Sequence, residues 1–156
     1  MGGLIKVTGG SPAWLRARFY RWSRLLCSER GYDAVCNVAE PTVTGLLLAD
    51  DRGTVRAVAA VRPDGYQGKR PGRCVLAWVW VPPLARRRGA LAELWARIEG
   101  YFGVLEVEGP FSPSMWAFLK TRGLQERALG DYVHEGRQKP EIAAAWAKRG
   151  PLGRLD

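Results

Sequence analysis

The chain has 156 residues, enough for one domain with a substantial core. Its 47% hydrophobic and 25% charged content is that of an ordinary globular protein, and no apolar run nears the roughly 20 residues that span a bilayer. A formal charge of +9, with 19 arginines against 5 lysines, points to an anionic partner such as a nucleotide cofactor, a nucleic acid or an acidic protein, although GC-rich codon usage yields the same arginine excess.

The opening residues Met1–Lys6 lack a signal-peptide core, and Gly2 lacks the downstream Ser or Thr of a myristoylation site. Cys27, Cys36 and Cys74 are odd in number and widely spaced, and His134 is the one histidine. That pattern builds no metal site, so no metal is expected, and the thiols read as reduced in a cytoplasmic setting. No linker or repeat divides residues 1–156, so a single domain is expected.

Leu4–Val7 reads as a short strand ended by Gly9-Gly10. Ser11 is expected to cap a helix with Pro12 at its first position. Leu15, Phe19, Trp22 and Leu26 form an apolar stripe on that helix, bordered by Arg16, Arg18, Arg21 and Arg24, and Gly31 ends it. A basic helix of this kind lies on an anionic surface or packs on a core with its basic face solvated. Asp33–Pro41 reads as irregular or as an edge segment. Thr42–Ala49 and Thr54–Arg62 are β-rich, and Asp50-Asp51-Arg52-Gly53 between them signals a hairpin. Pro63–Gly72 is a Gly/Pro-rich loop whose Tyr66, Lys69 and Arg70 could meet a substrate or simply solvent.

Arg73–Val81 is apolar enough for the middle of a sheet. The spacing predicts a helix over Leu84–Phe102, with Leu91, Leu94, Trp95, Ile98 and Phe102 on one side. Val104–Glu108 reads as a strand, and Ser112-Pro113 as the cap and first residue of a helix that turns Met115, Phe118 and Leu119 inward and stops at Gly123. Leu124–Ala128 and Tyr132–Arg137 read as short strands, and Pro140 as the start of a last helix with Ile142 and Trp146 one turn apart. Helices on both faces of a mixed sheet make an α+β (α/β) domain.

One stretch carries most of the functional signal. In Val79–Leu91 a buried strand runs into a basic turn and then a helix start. The first turn of a helix offers unpaired amides and partial positive charge, Gly89 permits close backbone approach, and Arg86, Arg87 and Arg88 add full charge. Such a turn can hold a pyrophosphate, or it can be a solvated basic helix start.

Cys74–Leu124 resembles the GNAT superfamily of acyl-coenzyme A-dependent N-acyltransferases. Val81-Pro82-Pro83 stands at the family's Val-x-Pro step. Arg86-Arg87-Arg88-Gly89-Ala90-Leu91 follows the pyrophosphate loop Q/R-x-x-G-x-G/A, with Leu91 in place of the last small residue. Ser112 through Gly123-Leu124 follows N-x-x-A-x-x-F/L-Y-x-x-x-G-F/L, with Leu119 at the tyrosine. The resemblance implies a mostly antiparallel central sheet whose strands Arg73–Val81 and Val104–Glu108 splay apart beside a bulge, and a cofactor-binding core over about residues 73–124 followed by strands and a helix to about residue 150.

It implies acetyl-CoA or another acyl-CoA as cofactor, held by Val79, Trp80, Val81, Arg86, Arg87, Arg88, Gly89, Ala90, Leu91 and Ser112. The pantetheine arm would lie on the strand and the pyrophosphate on the amides of Arg87–Leu91. It implies direct attack by an amine on the thioester beside a backbone N–H that steadies the oxyanion. The acceptor would be an amine-bearing small molecule or protein, with no membrane involved.

Such transfer needs a proton acceptor for the amine and often a donor for the thiolate. Leu119 cannot donate, which leaves Tyr132 or Tyr101. Glu106 and Glu108 share one strand face and are candidate bases, as is His134. Each also reads as an ordinary packing or surface residue. Trp78 and Trp80 either wall an acceptor pocket or pack in the core. Three functions follow: an acyltransferase, a GNAT-like binding or structural protein without catalysis, and a basic nucleic-acid-binding protein, which lacks a recognisable module. Phe118-Leu119-Lys120-Thr121 is also similar to GNAT-like proteins of tailed bacteriophages.

Overall fold

The computed structural model describes residues 3–30, 38, 40–65, 68–108 and 112–129. In chain order these form β1 (Gly3–Val7), α1 (Ala13–Arg30), β2 (Thr44–Ala49), β3 (Val55–Arg62), β4 (Arg73–Trp80), α2 (Ala90–Phe102), β5 (Val104–Glu108), α3 (Pro113–Thr121) and β6 (Ala128–Leu129). The six strands make one sheet in sequence order. β1 to β4 pair antiparallel, while β4–β5 and β5–β6 pair parallel. A parallel step needs a crossover, and α2 supplies it between β4 and β5.

Strand alternation sorts the core into two layers. Leu46, Leu48, Ala57, Ala59, Val61, Cys74 and Leu76 face Leu94 and Ile98 of α2 and Met115 and Leu119 of α3. Val7, Leu47, Val58, Ala60 and Trp80 face Leu15, Phe19, Trp22 and Leu26, so the expected α1 stripe is the buried one. Helices therefore cover both faces of a mixed sheet. The hairpin forms as read: Asp50 Oδ1 accepts from the amides of Arg52 and Thr54, each at 2.9 Å, and Gly53 takes φ 77°.

The α1 layer leaves no room at Gly45 of β2. A Cβ there would stand 2.6 Å from the Phe19 ring. Gly45→Ala should therefore cost about 1–3 kcal/mol through overpacking. Chemical denaturation checks this, and an unchanged midpoint would contradict it. On the other layer Cys74 is buried. Burial first, with the charge of Asp64 adding, pushes its thiol up from 9.0 to about 12. A fold that holds the proton while the unfolded chain releases it loses stability as pH rises through 9 towards 12. At pH 8 Cys74 should resist thiol reagents in the native state and react once denatured. Peptide mapping of the labelled protein reads this directly, and native labelling as fast as denatured labelling would contradict it.

Three local expectations need correction. The Ser11 hydroxyl accepts from the Thr8 amide at 2.9 Å, closing a turn, and the Pro12 carbonyl accepts from Arg16 at 3.1 Å as the helix begins. The helix expected from Leu84 starts at Ala90, after a single 3-10 turn over Pro83–Ala85 and a loop. Leu124–Ala128 is not a strand: Gln125–Arg127 is a 3-10 turn, and only Ala128–Leu129 pairs, with Val107 and Glu108. Gly31, most of Asp33–Pro41, and the strand and helix expected after Asp131 lie outside the described residues.

Two β-bulges interrupt the regular registers. Leu48 pairs Ala57 and Ala49 pairs Val55, which leaves Arg56 as the extra residue of β3. Ala60 pairs Trp78 and Val61 pairs Leu76, which leaves Ala77 as the extra residue of β4. A bulge bends its strand and resets side-chain alternation. After Ala77 it is Val79 and Val81, no longer the even-numbered residues, that pack on the α2 layer.

Candidate functional site

The site begins where β4 outruns its pairing with β5. β4 and β5 pair from Arg73↔Val104 to Leu76↔Val107, and there the described pairing stops while β4 runs on to Trp80. Beyond that point the β4 edge turned toward β5 carries backbone groups with no ladder partner among the described residues.

The residues after β4 explain the loop. Pro82 and Pro83 have no amide and end the strand. One 3-10 turn follows, then Arg86 is extended at φ −67°, ψ 151°. Arg87 at φ 60° and Gly89 at φ 78° both take the left-handed region. Gly89 adopts it freely, whereas Arg87 costs about 1 kcal/mol, a strain typical of loops that aim backbone amides. Arg86 Nε donates to the Val81 carbonyl at 2.9 Å and ties the loop back to the strand end. α2 then starts with no side-chain cap on its amides.

Across from the loop, Ser112 caps α3 by accepting from the Met115 amide at 3.1 Å, with Pro113 at the first helical position. Between these elements lies a groove of about 760 Å³. Val79, Trp80, Val81, Arg86, Arg87, Gly89, Ala90, Leu91 and Ser112 line it. Arg88, also expected there, is not in the lining; its carbonyl accepts from Arg56 Nη2 at 3.4 Å. Residues the sequence reading missed are Ala85, Ala92, Pro113, Ser114, Met115, Phe118 and Arg122. Ser114, Phe118 and Arg122 stand at i, i+4, i+8, so one stripe of α3 forms that wall. Arg122 stacks over the Phe118 ring at 5.0 Å.

The charge around the loop is mostly positive. Its nearby acid, Glu93 in the first turn of α2, ion-pairs with Arg56 and with Arg97 at 3.3 Å. The Arg56 hydrogen bond, with Arg97 adding, holds the Glu93 carboxyl below its ordinary value against partial desolvation. The ion pair is present above the ordinary carboxylate range and lost as pH falls below it.

The proton-handling candidates are scattered. Glu106 is 5% exposed; Arg70 Nη1 lies 3.0 Å and Arg73 Nη1 4.0 Å from its carboxylate oxygens. Glu108 is half-exposed, with Arg62 Nη1 at 4.0 Å. Both point away from Leu105 and Val107, as alternation requires, and neither lines the groove. Glu106 stands opposite Val75 inside the paired segment, whereas Glu108 lies one residue past it, paired with Leu129 of β6. Tyr101 is 62% exposed, with Lys6 Nζ 4.2 Å above its ring. It is 11 residues along α2 from Ala90, about 16 Å from the loop. Leu119 is fully buried. Trp78 stacks on Phe19 at 5.7 Å and Trp80 meets Trp22 edge-on at 6.4 Å, so both pack against α1. Tyr66, Tyr132 and His134 lie outside the described residues. Among the described residues no cluster of His, Cys, Asp or Glu could hold a metal ion, and no helix is long and apolar enough to cross a membrane.

No family model and no curated relative matches the sequence. Solved structures do match the fold. The xEco2 acetyltransferase domain bound to a K105-CoA conjugate superposes with a TM-score of 0.62 at 16% identity, over 77% of this chain and 85% of that one. The aminoglycoside acetyltransferase HMB0005 from an uncultured soil metagenomic sample gives 0.52 at 11% identity, over 89% and 98%. The aminoglycoside acetyltransferase meta-AAC0020, also from an uncultured soil metagenomic sample and in complex with sisomicin, gives 0.51 at 10%, over 88% and 96%.

Proposed function

From a chain that has the fold of the GNAT acetyltransferases, we propose an acyl-CoA-binding protein that transfers the acyl group to an amine. One observation carries this reading: the end of β4, past its last pairing with β5, lines the same groove as the left-handed loop and the start of α2. The groove's volume suits a drug-sized or larger ligand. Its loop amides and arginines suit a pyrophosphate, and its exposed strand edge suits an amide-bearing arm.

When bound, acyl-CoA supplies the thioester carbonyl and the thiolate leaving group. The chain's own contribution is largely positioning. Amides from Arg87 to Leu91 and the Arg86 and Arg87 side chains would hold the phosphates. Backbone groups of Val79 and Val81 would hold the arm, and a backbone N–H at the strand end would be available to donate to the thioester carbonyl oxygen. Glu108, one residue past the paired segment, is the better-placed base, since Arg70 already engages Glu106. Tyr132 would serve as the proton donor, and Ser112 orders the α3 wall.

A second reading, a GNAT-like binding protein without turnover, draws on the burial of Leu119 where the family motif has its tyrosine. Calorimetric titration with acetyl-CoA and CoA tests the shared premise, and no binding at millimolar cofactor would sink both readings. Transfer to a panel of amines, peptides and aminoglycosides then separates them: tight binding without turnover supports the second. A nucleic-acid-binding protein would instead show affinity that falls steeply with salt.

A further inference from the structure

We propose that Arg56 is a positioning residue of the anion loop, holding the Arg88 carbonyl and covering the charge of Glu93 so that the first turn of α2 meets the groove as a cation. The proposal rests on the acyl-CoA reading above. Its starting point is the bulge in β3, where Arg56 is the residue without a partner. In a regular strand Arg56 would point opposite to Ala57, toward α1. A bulge re-aims its extra residue. Ala57 packs on the α2 layer, and Arg56 reaches the same side, where it pairs with Glu93 and donates to Arg88.

The two contacts solve one electrostatic conflict. A carboxylate in the first helical turn favours the helix, because it meets the positive end of the dipole. The same carboxylate repels a pyrophosphate that needs those amides. Arg56 leaves Glu93 in place for α2 and cancels its charge toward the groove. Arg97 also pairs with Glu93, but from one turn farther along α2, away from the loop. The Arg88 contact adds geometry: Arg56 reaches the carbonyl that lies between the left-handed residues Arg87 and Gly89.

The test titrates CoA into the full chain by calorimetry, with thermal unfolding recorded for every variant. Arg56→Ala should weaken affinity about tenfold, the upper part of the range for a charge at a helix end. Adding Glu93→Gln to Arg56→Ala should restore affinity to within about threefold of wild type, because the repelling charge leaves with its partner. A purely structural ion pair would instead show its losses in the unfolding midpoint and leave the CoA affinity of folded Arg56→Ala unchanged. Glu93→Gln alone should bind as tightly as wild type or tighter, which keeps the proposal testable if Arg56→Ala unfolds. Wild-type affinity in Arg56→Ala, a double variant no tighter than Arg56→Ala, or a tenfold loss in Glu93→Gln would each overturn it. A wild-type chain that takes up no CoA overturns the acyl-CoA reading itself, and this role with it.

Discussion

A glutamate at Gly89, combined with Arg86→Ala, should weaken CoA binding by at least about a hundredfold while the chain stays folded. The separation of the two effects comes from the local geometry. A Cβ built on Gly89 meets nothing within 4 Å, so the new side chain displaces no atom. The Gly89 change costs about 1 kcal/mol of folding for a non-glycine residue at φ 78°, and losing the Arg86 bond adds about another 1 kcal/mol. The binding cost is larger, because a carboxylate then stands at the uncapped start of α2. Arg86→Ala removes a cation from the groove wall and the bond from Nε to the Val81 carbonyl. Calorimetric titration and thermal unfolding measured on one preparation check both halves. Unchanged affinity would move the anion site away from this loop. Equal losses of affinity and of fold would show that Gly89 serves the chain's architecture alone.

Glu108→Gln should lower turnover about 10²- to 10⁴-fold with CoA affinity unchanged, the signature of a lost general base. Glu106→Gln should behave differently. Its carboxylate is buried and faces Arg70 at 3.0 Å. Removing the charge leaves the Arg70 guanidinium over a neutral amide. Because Arg70 is itself about half-exposed, water makes up much of that loss, and the expected cost is about 1–3 kcal/mol of stability with a smaller change in turnover. Steady-state kinetics with any accepted amine, set beside denaturant melts, separates the two residues. A Glu108→Gln enzyme with full turnover would remove Glu108 as the base. A Glu106→Gln enzyme that is stable but inactive would transfer that role to Glu106.

Features whose causes lie within a few residues were legible before any coordinates. Asp50 and Gly53 made the hairpin readable, because a side-chain acceptor and a left-handed glycine act on their own turn. Ser112 and Pro113 marked the start of α3, and Gly123 its end. The stripes Leu15–Leu26 and Leu94–Ile98 identified the buried faces of α1 and α2 through helical period alone. The loop from Arg86 to Leu91 was legible as a candidate anion site because its residue types and spacing carry the chemistry themselves.

Other features depend on partners distant in the chain. The apolar and helix-favouring residues from Leu84 onward extended the expected helix too early; two prolines and a left-handed Arg87 hold that stretch in a loop against the groove. Arg56 and Ala77 carry no local mark of a bulge, since a bulge is a mismatch between two strands. Glu106 and Glu108 look alike on one strand face, and only the return of Arg70 from the loop before β4 tells them apart.

The sequence by itself thus determined most of the elements, their buried faces and the residue types of the candidate anion loop, since propensity, capping and periodicity are short-range. The tertiary structure alone decided where β4–β5 pairing ends, which arginine covers Glu93 and which carboxylate lies past that pairing. Those outcomes are set by strand register and by charges that meet only after the sheet has formed.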